Sequence, residues 1–367
     1  TKGETAKKEL YRAQCICAYW HGLFGGLYLN YLRHAVYKHL ILAEAAADDK
    51  RNKGKDIWLS AEAIDYNADG RKEILISNPY INVYIAPDYG GAMVELDFRP
   101  KAFNLSNLLA RRKEGYHHKL KKVKNNTEDA AEPVSIHHIV KSKEEGIERF
   151  LFYDRYNRYS FLDHFIDSST TPESFSRGDY KELGDFIDLP YTIEEFSFFK
   201  NKTAGYVILR RDGGIYNDTI ARPITIRKRF SFNGNSGMIN CNYSLINRGN
   251  AQIETLFGIE FNLTLLAGRD ESRYYILQDR EDEKRLMEAA GDFNDVDKIG
   301  LRDKWSGIEV DISYSEKSRL WVYPVETVSQ SEDGFERTYQ GTAFLPIWRL
   351  NLKPQEEWDM NISLNVK

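Results

Sequence analysis

The sequence predicts a mainly β protein, a large antiparallel β-sandwich preceded by a short α-helical segment. Three observations predict it. From Ile57 onward the chain breaks into short runs of alternating apolar and polar residues, the period of a half-buried strand. Turn chemistry separates these runs, as in "NADG" (67–70), "RRDGG" (210–214), "FNGNSG" (232–237) and "INRGN" (246–250). Ahead of them lies one stretch with helical spacing, in which Leu29, Leu32, Val36, Leu40 and Ala43 recur every three or four residues.

The helical pattern covers residues 5–46 and includes the stretch "AYWHGLFGGLYL" (18–29). There Gly22, Gly25 and Gly26 stand where each costs about 1 kcal/mol relative to Ala inside a helix. Such a cost is tolerated for a close backbone approach or a special backbone angle. The charged run "AEAAADDKRNKGKD" that follows reads as a helix end and linker, with Gly54 as the stop. This divides the chain into a helical segment, 1–54, and a β-domain, 55–367. Strands are expected at 73–77, 81–86, 92–98, 205–210, 224–232, 238–246, 254–265, 308–314, 319–323, 342–352 and 358–366. Residues 280–305, dense in charge, read as a polar insertion, a loop with a short helix. Trp321 and Trp348 fall in alternating strands and are expected in the core.

Composition bounds the function. The 367 residues give room for a large core. A net charge of -4 with acids and bases interleaved leaves no basic footprint for nucleic acid. No apolar run approaches the roughly 18 residues of a membrane span. Aromatics at 13% suit tyrosine-rich strands or a carbohydrate surface. Three cysteines are too few for a disulfide framework, and "TKGETAKKELYRAQ" has no apolar secretory core. Reduced thiols in a cytoplasmic protein are the expectation.

The most specific local pattern is "DYNADGRKE". It sets Asp65, Asn67 and Asp69 at alternate positions, then Gly70 and Glu73, so that their oxygens can converge on a hard cation such as calcium. It lacks the glutamate of an EF-hand at the twelfth position, where Ile76 stands; a plain hairpin turn uses the same residues. His117-His118 and His137-His138 are adjacent pairs, which on a strand face opposite ways. Glu260 alternates with Phe257, Ile259 and Phe261 and reads as a sugar ligand or base, or as the partner of an arginine. No nucleotide-binding GxGxxG, Walker loop or GxSxG elbow is present.

"RAQCICAYWHGLFGGLYLNYLRHAVYKHLILAE" (12–44) resembles a signature of glycoside hydrolase family 57, in its 4-α-glucanotransferase and α-amylase branch. "DYNADGRKEILISN", "APDYGGAMVELDFRPKAFNLSNLLARRKEGYH", "FLDHF" and "YPVETVSQSEDGFERTYQGTAFLPIWRLNL" resemble the C-terminal region of that branch, in order. The resemblance implies an N-terminal distorted barrel that carries a nucleophilic Glu and an acid/base Asp. A helical segment and a sandwich of galactose mutarotase-like shape then follow. This chain would correspond to what comes after both carboxylates. The resemblance places Trp20 as a stacking face and His21 as a hydrogen-bonding group near the donor sugar. Many relatives have Asn-Asp where this chain has Ile16-Cys17, so the resemblance implies the loss of a polar contact to sugar here.

The expected function is therefore that of the C-terminal part of a cytoplasmic α-1,4-glucan-processing enzyme. It would bind α-glucan or malto-oligosaccharide and partner an N-terminal barrel, with no cofactor beyond a structural calcium. Two alternatives stay open: a stand-alone glucan-binding module, or a mutarotase- or lyase-like enzyme using Glu260 and a histidine.

Overall fold

In the computed structural model the alternating runs become strands of two antiparallel sheets. The structure describes residues 2–21, 25–120, 142–198, 203–217, 220–278, 280–331 and 334–367. Gly22 and the pair His137-His138 lie outside them.

The helical segment is two helices rather than one: α1 (Lys2–Arg12) and α2 (Asn30–Arg51), joined through short 3₁₀ turns at Ile16–Ala18 and Gly26–Tyr28. The expected continuous helix over 5–46 is interrupted after Arg12: Cys15 is extended, at ψ +116°, and Gly25 and Gly26 adopt positive φ, +87° and +45°, before α2 begins. Part of the apolar stripe packs the helices together, with Leu32, Val36 and Leu40 against Ala13 and Ala18. α2 runs on through the charged stretch to Arg51, with Lys50 and Arg51 at its negative end. Gly54, at φ +71°, follows the stop.

The first sheet holds β1 (Ser60–Ile64), β2 (Glu73–Ser77), β3 (Ile81–Ala86), β4 (Ala92–Phe98) and β5 (Phe103–Asn104) in sequential order. Next come β6 (Leu162–Ile166), a six-residue helix α3 (Pro172–Arg177), β7 (Thr192–Ser197), β8 (Ala204–Asn217), β9 (Ile220–Asn233), β10 (Met238–Asn247) and β11 (Ile253–Leu263). The chain finishes with β12 (Arg273–Leu277), β13 (Arg280–Leu286), β14 (Gly291–Asp303), β15 (Ile308–Ser331), β16 (Gly334–Leu352) and β17 (Glu357–Val366). These twelve strands, β6 to β17, form one branched sheet. The branch lies in β15, which pairs with β17 over Val310–Tyr314 and with β16 from Arg319 onward. One core spans both sheets, with Ile74, Val83, Ile85 and Leu96 of the first packed with Phe165, Phe230, Phe261 and Ile312 of the second. Trp321 and Trp348 are buried, as expected. No helix among the described residues is long and apolar enough to cross a membrane.

Two expectations are corrected. Residues 280–305 form β13 and β14, not a loop with a helix; β13 is charged because it is an outer strand, paired among the described residues only with β12. "RRDGG" is not a turn, since β8 passes through it and Gly213 and Gly214 pair with Ile224 and Pro223. Gly213 serves close packing there: an added Cβ would lie 2.4 Å from Asp185 Oδ1 and 2.6 Å from the Phe186 ring.

Candidate functional site: the Trp20 turn and the cleft beneath α2

The glycines of the Trp20 stretch act through backbone conformation. The Leu27 amide donates to the Trp20 carbonyl at 3.0 Å, which folds the chain back on itself. A Cβ on Gly26 would lie 2.3 Å from that same carbonyl oxygen, so only glycine fits. The turn leaves Trp20 56% exposed, beside exposed Tyr19 and Ile16. His21 is half-buried, with Nδ1 3.3 Å from the Gly25 carbonyl and its ring between those of Tyr28 and Tyr116. The structure thus places Trp20 on the surface and His21 in an aromatic bracket behind it.

A polar stripe on α2 fastens this turn to the sandwich. Asn30 donates to the carbonyls of Leu266 and Tyr339, at 2.6 and 3.0 Å. Arg33 donates to the Leu27 carbonyl (2.5 Å), the Asn107 carbonyl (3.1 Å) and side chain (2.8 Å), and the Gln340 side chain (2.7 Å). Gln340 in turn donates to the Tyr28 carbonyl at 2.9 Å.

Between α2 and the first sheet lies a cleft of about 750 Å³. Strand alternation builds its floor. Val83, Ile85 and Leu96 point into the core, while the paired residues Asn82–Asp97 and Tyr84–Glu95 carry the polar face. Glu44 reaches down from α2, accepting from Asn82 (2.7 Å) and the Tyr84 hydroxyl (3.1 Å). Asn104 donates to Asp97 at 2.9 Å. Burial, reinforced by neighbouring negative charge, raises the Glu95 carboxyl well above its usual range and pushes Asp97 up to about 7. Tyr37, Tyr66 and Tyr89 supply aromatic wall. Asp88, Asn107 and Arg158 are among its lining residues, and each has a buried polar atom without a hydrogen-bond partner among the described residues: Asp88 Oδ1, Asn107 Nδ2 and Arg158 Nε. Aromatic faces with unspent polar groups suit a polyhydroxylated ligand. The signal was the acid–apolar–acid alternation of "VELDF" and the α2 stripe Asn30, Arg33, Tyr37, Glu44, Asp48.

The Asp65 loop rims the cleft through Asn67, Asp69 and Glu73. Its oxygens are turned to its own donors. Asp65 accepts from the amides of Asp69 (3.1 Å) and Gly70 (3.0 Å), Asp69 from that of Arg71 (2.8 Å), and Glu73 from that of Tyr66 (2.9 Å). The Asn67 amide bridges Asp69 and Glu73, at 3.0 and 3.2 Å. Among the described residues no group of three or more His, Cys, Asp or Glu side chains is placed to hold a metal ion. As folded, these residues form a self-bonded hairpin loop.

The remaining candidates are structural in their surroundings. His117 is buried, with Nε2 2.8 Å from the Val328 carbonyl, whereas His118 is exposed. Glu260 does meet a histidine: His164 Nε2 lies 3.0 Å from one oxygen and Arg158 Nη1 2.5 Å from the other. Tyr156 adds a hydroxyl at 2.7 Å. Burial alone would raise the Glu260 carboxyl, but the Arg158 charge and the His164 hydrogen bond hold it well below the usual carboxylate range. Neither Glu260 nor His164 has measurable exposure, so the pair is sealed from any sugar.

Comparison with known proteins places this geometry. The family model "Alpha-amylase/4-alpha-glucanotransferase, C-terminal" matches residues 65–362, and the "middle domain" model of the same enzymes matches residues 1–47. "Alpha-amylase 1" of Dictyoglomus thermophilum is 32% identical over 99% of this chain and 49% of its own length. The "4-alpha-glucanotransferase" of Thermococcus kodakarensis is 31% identical over 92% of this chain and 45% of its own. The crystal structure of 4-alpha-glucanotransferase from Thermococcus litoralis superposes with a TM-score of 0.75 at 29% identity, covering 99% of this chain and 48% of that one. A galactose mutarotase-like protein from Clostridium acetobutylicum shares the fold, with a TM-score of 0.51 at 11% identity over 85% of this chain and 99% of its own. The chain spans about half the length of the curated relatives it matches. It belongs to the alpha-amylase/4-alpha-glucanotransferase family of glycoside hydrolases, and what it matches there is the C-terminal half.

Proposed function

We propose that this chain is the glucan-shaping half of a cytoplasmic, retaining α-1,4-glucan-processing enzyme whose catalytic carboxylates lie in a separate N-terminal barrel. In this reading Trp20 stacks on the C–H face of a glucose ring, His21 hydrogen-bonds the donor sugar, and the sandwich holds both in place. The cleft beneath α2 extends the glucan-facing surface. The observation that carries the reading is the Trp20 turn, an exposed aromatic surface fixed by Arg33, Asn30 and Gln340. Exposed Tyr11, Ile16 and Tyr19 continue it, as a surface that another body covers. Three unpaired cysteines suit a reducing compartment. The reading requires no cofactor.

The test is to incubate the purified chain alone with maltopentaose and resolve the products by length. An unchanged substrate is expected. New shorter or longer glucans would overturn the division of labour and assign catalysis to this chain's own carboxylates.

A further inference from the structure

Half of the chain's six tryptophans meet in one groove. Trp321, Trp348 and Trp358 line a depression of about 410 Å³ that shares no lining residue with the cleft beneath α2. Packing accounts for much of their burial. It does not account for their polar atoms. The Trp348 indole N–H donates to the Glu316 carbonyl at 3.2 Å and that of Trp358 to the Glu316 carboxylate at 3.3 Å. Trp321 is 1% exposed, and its indole N–H has no partner among the described residues. A buried donor left unpaired costs about 1–3 kcal/mol.

The rim indicates what kind of group. A bulge in β14 between Phe293 and Val296 puts Asp295 at φ +60° and leaves Asn294 and Asp295 exposed at the groove. Lys317 and Arg349 stand exposed on the same rim. Donors and acceptors of both signs alternate there, without the single-sign cluster that an ionic ligand needs. Trp358 is half-buried and leaves part of its ring uncovered. An apolar ring face, an unspent donor and a mixed polar rim are the elements that recognise a neutral polyol.

We propose that this groove is a second carbohydrate site, which takes a short stretch of a neutral α-glucan chain apart from the Trp20 surface. The ligand's identity as α-glucan rests on the functional reading above; the groove itself does not. Native gel electrophoresis of the full chain through gels containing glycogen tests it, with Trp358→Ala, Asn294→Ala and Trp20→Ala in parallel. Asn294 is exposed, so its variant keeps the fold even where Trp358→Ala does not. Both groove variants are expected to bind glycogen about fivefold more weakly, the scale of one lost ring contact for Trp358→Ala and of one lost hydrogen bond for Asn294→Ala, and Trp20→Ala to retain the groove's share. The indole N–H resonance of Trp321 is expected to move when maltoheptaose is added. A wild-type chain retarded by glycogen, with both groove variants retarded equally, overturns the groove and leaves the glucan reading intact. A wild-type chain that glycogen does not retard overturns both.

Discussion

The Nζ of Lys228 lies 2.7 Å from Oδ2 of Asp163, and neither side chain has any exposure. Lys228 also donates to the carbonyls of Gly90 and Phe161, while the hydroxyls of Tyr191 and Tyr243 donate to Asp163. Burial outweighs the mutual attraction, raising the Asp163 carboxyl and lowering the Lys228 ammonium. The pair is therefore costly to form and costlier to break. Lys228→Met is expected to lower the unfolding free energy by about 3–5 kcal/mol, read by chemical denaturation, because it strands a buried carboxylate. Adding Asp163→Asn should recover part of that loss; a double variant no better than the single would refute the account.

His164 gives the fold an alkaline limit. Burial works against its charge, but hydrogen bonds to Glu182 and Glu260 prevail and push it up to about 9. Its folded pKa lies above the unfolded value of 6.5, so its contribution is complete below that value and is lost as pH rises through about 9. Across this window the wild type should lose stability, by at most about 3 kcal/mol. His164→Gln should be less stable at neutral pH and flatter across the window. Parallel melting curves for the two proteins from pH 6 to 10 would count against it.

Gly26 and Gly54 separate steric clash from backbone strain. Both have positive φ, but a Cβ at Gly26 meets the Trp20 carbonyl, whereas nothing lies within 4 Å of one at Gly54. Gly54→Ala should cost about 1 kcal/mol. Gly26→Ala should displace the Trp20 turn and weaken glucan binding as Trp20→Ala does, read by titration with maltoheptaose. Equal effects of the two variants would mean that the close approach is unimportant.

The Asp65 loop should be indifferent to calcium, since its carboxylates already accept from the loop's own amides. Melting midpoints in millimolar calcium and in chelator should coincide. A rise with calcium would show that the loop opens to a cation.

Alternation made much of the sandwich legible. β2, β3 and β4 fall at 73–77, 81–86 and 92–98 as expected, because one face of each is buried in the shared core. β13 was not legible, because an outer strand reading "REDEKRL" has no apolar face to betray it. Nor was the continuity of β15, where two expected strands at 308–314 and 319–323 are one strand that changes partners. The motifs singled out Trp20 for sugar and Asn67, Asp69 and Glu73 for calcium; that these last three rim the cleft beneath α2 was not read from them. The alternation of "VELDF" puts Glu95 and Asp97 on one strand face, but it is the pairing of β3 with β4 that gathers them with Asn82 and Tyr84 under α2. The unpaired indole of Trp321 has no sequence signal, since it depends on what the neighbouring strands fail to offer.

The bonds from Arg33 to Gln340, and from Gln340 to the carbonyl of Tyr28, tie together positions more than 300 residues apart. The Trp20 turn therefore does not hold its own aim: the C-terminal strands set it. A helical segment grafted from a relative would arrive with its aromatic residues and without their bearings unless Asn107 and Gln340 came too. Substitutions deep in β16 would then act as a tuning screw on an exposed aromatic surface they never touch. In this chain the two segments are joined by hydrogen bonds that neither could make alone.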